Sequence, residues 1–347
     1  MRVYIKILLL FIIALLIYLI FPHKSDKLIY IPKQNSKYYK TTLQTQNTPL
    51  NSFDILILKL LKPKEGWVRV SDNTNRLKLF KEILNNKREK TRTMVMYGGD
   101  TIEHFSKTIA KQANLDSNKL LKIYHKLSPF KEGGIIAKRY KIPYNATEYS
   151  VISYMVNKSN NFFKEAAKRY KVDFLSKEFK DKLIIASIIE KETQDYSEMP
   201  LISAVIQNRL KKGIRLQMDA TLNHGKQSHT IITPQIIKSD NSKYNTYKFK
   251  GLPPEPLGSV SKIALISAFL PKKVDYLYFV KQPNGKHIFS KVYKKHLKGV
   301  KVYKDNLKKL RAKKIAKIVK RNINIYIPNP NLEPNVLLEK LRYNFAH

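Results

Sequence analysis

Ile184-Ile185-Ala186-Ser187-Ile188-Ile189-Glu190-Lys191-Glu192-Thr193 is an apolar run that closes abruptly on charge. A helix over Glu178–Thr193 accounts for it. With apolar residues on every side, that helix is expected to be buried all round, at the centre of a core. Glu190 follows Ser187, Ala186 and Leu183 at the spacings that place it on their small, apolar face. A carboxyl held there resists ionisation, because desolvation disfavours its charged form. An acid kept protonated near neutral pH is what cleavage of a glycosidic bond requires. The same spacing also suits an ordinary helix-end glutamate paired with Lys191 or Arg209, so position alone leaves both readings open.

Outward from this helix, Leu201–Lys212 and Leu257–Phe269 read as two more helices. Tyr276–Val280 and His287–Phe289 read as short strands around the turn Pro283-Asn284-Gly285. Helices and short strands mix without regular βαβ alternation, so the expected class is α+β. Upstream, Thr93–Tyr97 reads as a strand, and Gly98-Gly99-Asp100-Thr101 as a turn that caps a helix through Asp100 or Thr101. Asn114-Leu115-Asp116-Ser117 then breaks that helix and caps another. This unit resembles a LysM-type carbohydrate-binding module; a small α/β spacer has the same pattern. Residues 23–65, rich in Lys, Asn, Gln, Ser and Thr, read as a tether leading into a packed patch at Phe53–Leu61. A strand around Trp67 and a helix near Asn75–Leu84 follow.

The chain starts with an apolar run over residues 7–21, extended past Lys6 by Val3, Tyr4 and Ile5. About 20 residues span the hydrocarbon of a bilayer. The exit Tyr18-Leu19-Ile20-Phe21-Pro22-His23 lacks the small-residue pattern of a signal-peptidase site. An uncleaved single-pass anchor is therefore expected, with residues 23–347 outside the cytoplasm. Flanking charges, Arg2 and Lys6 against Lys24 and Lys27, are nearly balanced, so the orientation rests on the long C-terminal region.

Composition narrows the classes further. The 347 residues include 66 Lys+Arg against 26 Asp+Glu, a formal +40, and no cysteine. Thiolate metal sites, disulfides and a cysteine nucleophile are excluded. The charge suits a polyanionic partner such as nucleic acid, anionic lipid or an acidic wall polymer. It equally suits a Lys- and Tyr-rich codon bias with no partner. Residues 304–321 concentrate this charge, with nine Lys/Arg against Asp305. They read as a solvated helix packed on the rest of the chain, with a membrane-surface or nucleic-acid helix as the alternative.

Several blocks then arrive in a recognisable order: Ala186–Thr193; Val205-Ile206-Gln207-Asn208-Arg209-Leu210; Leu216-Gln217-Met218-Asp219-Ala220-Thr221; Tyr244-Asn245-Thr246-Tyr247; Gly251-Leu252-Pro253-Pro254; and Tyr276–Val280 followed by Gly285, His287, Phe289 and His296. Together, over about residues 90–310, they resemble the MltG (YceG-like) family of endolytic murein transglycosylases. Three segments depart from the family pattern: Glu132–Tyr140, Asp219-Ala220 and Ser259-Val260-Ser261. The first puts a glycan contact in doubt, and the others affect loop shape.

The resemblance implies a domain plan: anchor 1–22, tether and small element 23–90, LysM-like subdomain 91–140, mixed α+β catalytic domain 141–310, then a basic helix and tail 311–347. It implies that Glu190 is the catalytic acid and then base for a peptidoglycan glycan strand, cut between N-acetylmuramic acid and N-acetylglucosamine. The muramic C6 hydroxyl would close a 1,6-anhydro ring, with no metal or cofactor. Gln217, Asp219, Tyr244, Asn245, Tyr247 and Phe279 are the candidate substrate-binding residues, each with an alternative in the core or a turn. Glu192, Asn208 and Arg209 are the candidate supporting residues. A second carboxylate at Asp219 would also suit a hydrolytic muramidase. A non-catalytic glycan-binding membrane protein is the remaining alternative. Peptidoglycan synthases are expected partners and nucleic acid is not; the histidines suggest no metal site.

Overall fold

The computed structural model describes every residue except 1, 24–26, 47–49, 73, 226, 227, 229 and 326–347. It contains two compact units, Met1–Asp275 and Tyr276–His347. Both mix helices with short antiparallel strand pairs, the expected α+β class.

The first unit opens with α1 (Arg2–Ile20), β1 (Pro22–His23), β2 (Leu28–Ile31), α2 (Tyr39–Gln44), α3 (Ser52–Leu61), β3 (Gly66–Arg69), β4 (Thr74–Asn75) and α4 (Arg76–Asn85). Helix α1 has 19 residues, about 28 Å at 1.5 Å per residue. Its Val3–Ile20 window has a mean hydropathy of 2.9 and no fully buried residue, so it is long and apolar enough to cross a membrane; its C-terminal end, at Tyr18 and Leu19, meets the rest of the unit. The expected tether is corrected here, because residues 28–31 are a buried strand paired antiparallel with β3. Ile29 and Ile31 face a core with Leu43, Ile55, Leu58, Val68, Leu79 and Ile83, while Leu28 and Tyr30 pack with Trp67 on the other face. Four apolar residues in a polar stretch are too few to reveal a strand until its partner supplies both layers.

Next come β5 (Thr91–Met96), α5 (Ile102–Ala113), α6 (Ser117–Leu127) and β6 (Lys138–Pro143). The two strands pair antiparallel from Thr91 opposite Pro143 to Met96 opposite Lys138. Thr101, not Asp100, is the N-cap of α5, its hydroxyl accepting the His104 N–H at 3.2 Å.

Helix α7 (Glu148–Arg169) has no counterpart in the sequence reading. Its apolar stripe, Val151, Ile152, Met155, Val156, Phe163, Ala166 and Ala167, is interrupted by Ser and Asn but buried against α6 and β2. Helices α8 (Lys177–Glu192), α9 (Met199–Lys211), α10 (Pro234–Ser239) and α11 (Lys262–Phe269) follow, with a 3-10 turn at Asp219–Leu222. Every residue of α8 from Leu183 to Ile189 is buried, as its composition required, and α8, α9 and α11 pack on one another. Helix α11 starts at Lys262 rather than at Leu257, because residues 257–260 are engaged elsewhere: the Leu257 N–H donates to Ser187 Oγ at 2.9 Å.

In the second unit β7 (Tyr278–Lys281) and β8 (His287–Ser290) form a hairpin, with Gly285 in the left-handed region at φ 84°. The hairpin packs on α12 (Tyr293–Ile325). The basic stretch 304–321 is therefore part of a 33-residue helix that begins before the expected boundary at 310/311. The short helix expected at 335–343 lies outside the described residues.

Candidate active site

Glu190 sits in the last turn of α8, half-buried, and two loops distant in sequence close on its carboxyl. Oε2 accepts the backbone N–H of Ser261 at 2.9 Å. Ser261 is the N-cap of α11, where a backbone N–H has no partner within the helix and is available to an anion. Oε1 lies against Gly98, so closely that an added Cβ would stand 1.9 Å from it.

The loops are clipped together by their own backbones. Gly99 N–H donates to Ser259 O at 2.9 Å, and Ser259 N–H to Asp100 O at 2.8 Å. Ser259 Oγ donates to Tyr97 O. Gly258 admits no side chain, since a Cβ would come within 2.5 Å of Gly99 O. Burial pushes the Glu190 carboxyl above its ordinary range, and the Ser261 hydrogen bonds offset this in part. The seat therefore favours the protonated acid while still offering the carboxylate one strong donor.

Charge gathers beside it. The half-buried Lys191 ammonium donates to Asn223 Oδ1 at 3.3 Å and Ser228 Oγ at 3.4 Å. Burial lowers its pKa, and Asp100 and Glu132 act in the opposite direction. Glu132 accepts the Ile102 N–H at 3.0 Å and the Gly133 N–H at 3.1 Å, at the start of α5. Its carboxyl is pushed up to about 7, by burial foremost, against those N–H donors and Lys191. Asp100 Oδ1 faces His104 Nδ1 at 3.3 Å. In the sequence, Glu132 stands out only within a divergent segment and Asp100 only as a cap. The shared signal is an acid next to paired glycines, in Gly98-Gly99-Asp100 and Glu132-Gly133-Gly134.

The other expected residues fall into distinct places. The segments around 217–221 and 244–247 are joined: Gln217 N–H donates to Thr246 O at 3.2 Å and Met218 N–H to Thr246 Oγ1 at 3.2 Å. Gln217 is exposed and held at φ 50°, an uncommon backbone state for a non-glycine residue. Asp219 is exposed and accepts the Tyr247 hydroxyl at 2.7 Å. Burial, then Asp219, pushes the Tyr247 phenol up; Glu192 and Arg209 also act on it, so these four belong to one electrostatic group. The turn bearing Asp219 packs on α8. Asn245 is fully buried and donates to Ile237 O and Asp240 O, both at 2.8 Å, so its amide builds the loop. Arg209 is buried and donates to Leu216 O, and Asn208 to Val274 O at 2.8 Å; both brace the backbone. The Tyr244 ring stacks on His224 at 3.7 Å. Phe279 belongs to the second unit, edge-on to His287 at 5.3 Å.

An endolytic murein transglycosylase of Bacillus subtilis (strain 168) is 32% identical over 181 residues, covering 50% of this chain and 48% of that protein. One from Streptococcus pneumoniae serotype 2 is 37% identical over 103 residues, covering 28% of this chain and 19% of its own length. The chain thus aligns with about half of the Bacillus relative and less of the streptococcal one. A crystal structure of a putative YceG-like protein from Listeria monocytogenes matches with a TM-score of 0.52 at 24% identity, over 78% of this chain and 97% of that one, a likeness of fold. The model of the YceG-like family matches residues 29–302, and the chain belongs to that family.

Proposed function

We propose that this protein is a membrane-anchored lytic transglycosylase that cuts within peptidoglycan glycan strands. The seat of Glu190 carries the reading: a carboxyl that favours its proton, at the end of a buried helix, hydrogen-bonded by one backbone N–H. Relatives named endolytic murein transglycosylases support the substrate class. Glu190 donates its proton to the oxygen between muramic C1 and the next sugar, and that C–O bond breaks. The carboxylate, held by Ser261 N–H, then takes the proton of the muramic C6 hydroxyl as O6 bonds to C1. One group serves both half-steps because the nucleophile is the substrate's own hydroxyl, so no water is consumed.

Gln217, Asp219, Tyr244 and Tyr247 are the proposed sugar contacts on the joined loops. The exposed Tyr97, next to Gly98, is a further stacking face. The strand–helix–helix–strand unit 91–143 supports a LysM-like reading in which it forms a wall of the cleft. Helix α1 suits a single-pass anchor in the cell membrane, with catalysis outside it. Nascent strands are the proposed substrate, and peptidoglycan synthases the proposed partners.

Glu190→Gln tests the assignment. General acid–base catalysis contributes typically ~10²–10⁴-fold, and both half-steps use this group, so activity should fall by the upper end of that range with the fold retained. Product chemistry separates the rival reaction. The main products should end in 1,6-anhydro-muramic acid without incorporating labelled water. Reducing ends carrying ¹⁸O, together with an equal loss in Asp219→Asn, would establish a muramidase instead.

A further inference from the structure

We infer that Gly98 is a positioning residue for Glu190, and that the Tyr97–Thr101 turn is part of the catalytic apparatus rather than of a separable binding module. The inference rests on Glu190 being the acid, as proposed above. Gly99, its neighbour, needs glycine for its backbone, at φ 80°; Gly98 is not among the residues with positive φ. Its backbone would accept alanine, so what excludes a side chain is the space. The three atoms that a Cβ would meet first all belong to Glu190: Oε1 at 1.9 Å, Cδ at 2.5 Å and Cγ at 2.7 Å. Contact below 3.0 Å forces movement, and the flexible partner is the glutamate side chain. The turn cannot retreat, because backbone hydrogen bonds tie Gly99 and Asp100 to Ser259, and Glu132 fixes the Ile102 N–H where α5 begins. Gly98 therefore holds the carboxyl by contact on one side, while Ser261 N–H holds it by hydrogen bonding through Oε2. Without that contact surface the acid is free to swing toward water, where its proton affinity falls.

Gly98→Ala in the full chain tests this with two kinds of readout. Titration of the Glu190 carboxyl by ¹³C NMR, assigned against Glu190→Gln, does not depend on activity. Its pKa should drop toward the ordinary glutamate value, and turnover on isolated glycan strands should fall on the order of 10²-fold, the cost of a misplacement of about 1 Å, with KM little changed. A double-mutant cycle guards against simple misfolding: Gly98→Ala should lower the unfolding midpoint of the wild type but not that of Glu190→Ala, where the obstructing atoms are gone. Equal destabilisation in both backgrounds, or an unchanged Glu190 titration in Gly98→Ala, would overturn the inference. An inactive wild type with the expected titration shift and cycle would overturn the proposed reaction and leave the seating of Glu190 by Gly98 intact.

Discussion

Glu132 and Ser187 show how single side chains hold this site together. Glu132 keeps its proton up to about 7 in the folded chain, against an ordinary value of 4.5. The native state binds that proton more tightly than the unfolded chain does. Its contribution to stability is therefore full below about 4.5 and is lost as pH rises through about 7. Glu132→Gln keeps an acceptor for the Ile102 N–H and removes the titration. Urea unfolding at pH 4.5 and 7.5 should show a smaller fall in stability for the variant than for the wild type; parallel pH dependences would contradict this. Ser187 is fully buried, donates to Ile184 O at 2.7 Å and accepts the Leu257 N–H at 2.9 Å. Ser187→Ala strands that N–H beneath the Glu190 helix and should lower stability by ~1–3 kcal/mol, measured by the same unfolding assay.

At the scale of elements, the first helices are joined through one buried acid. Asp54, fully buried on α3, accepts Arg76 Nε at 3.1 Å, the Tyr18 hydroxyl at 2.6 Å and the Asn51 N–H at 2.9 Å. It connects α1, α3 and α4, and its bond to Asn51 completes the capping box of α3. The Arg76 guanidinium also lies over the Tyr18 ring at 4.4 Å. Removing one member of a buried ion pair costs about 3–5 kcal/mol. Since Asp54 keeps two other donors, Arg76→Met should fall near 3 kcal/mol in a thermal or urea unfolding experiment. A loss within error of zero would mean that Tyr18 and Asn51 suffice.

For the molecule as a whole, the apolar helix α1 and the +40 charge are the features that bear on the proposed location. If α1 anchors the chain with the catalytic unit outside the cytoplasm, a reporter fused after His347 that works only when exported should be active, and deleting residues 1–21 should release a soluble protein. An inactive exported-type reporter beside an active cytoplasmic one would reverse the orientation. Binding to insoluble peptidoglycan should weaken with added salt if the excess of lysines contributes, since exposed charges are screened within about 8 Å at physiological ionic strength. Salt-independent pull-down would assign binding to the cleft alone.

Periodicity and local punctuation were enough to determine the apolar helix α1, the buried helix α8, the Thr101 cap region and the hairpin turn at Pro283-Asn284-Gly285, and they left Glu190 as a candidate beside an ordinary helix-end reading. These depend on residues a few positions apart. Strand β2 and helix α7 were not legible, because a four-residue strand and a Ser- and Asn-interrupted stripe become apolar surfaces only against partners far along the chain. The same holds within the site. Glu190 could be singled out from its helix, but its proton affinity depends on Ser261, 71 residues away, and on a glycine whose role is to leave space. Asn245, expected to meet substrate, is consumed by its own loop, while Glu132 and Asp100 gain their charge environment from Lys191. Sequence pattern records what each segment can bury; which distant backbone closes on a carboxyl, and how much water it excludes, is settled only by packing.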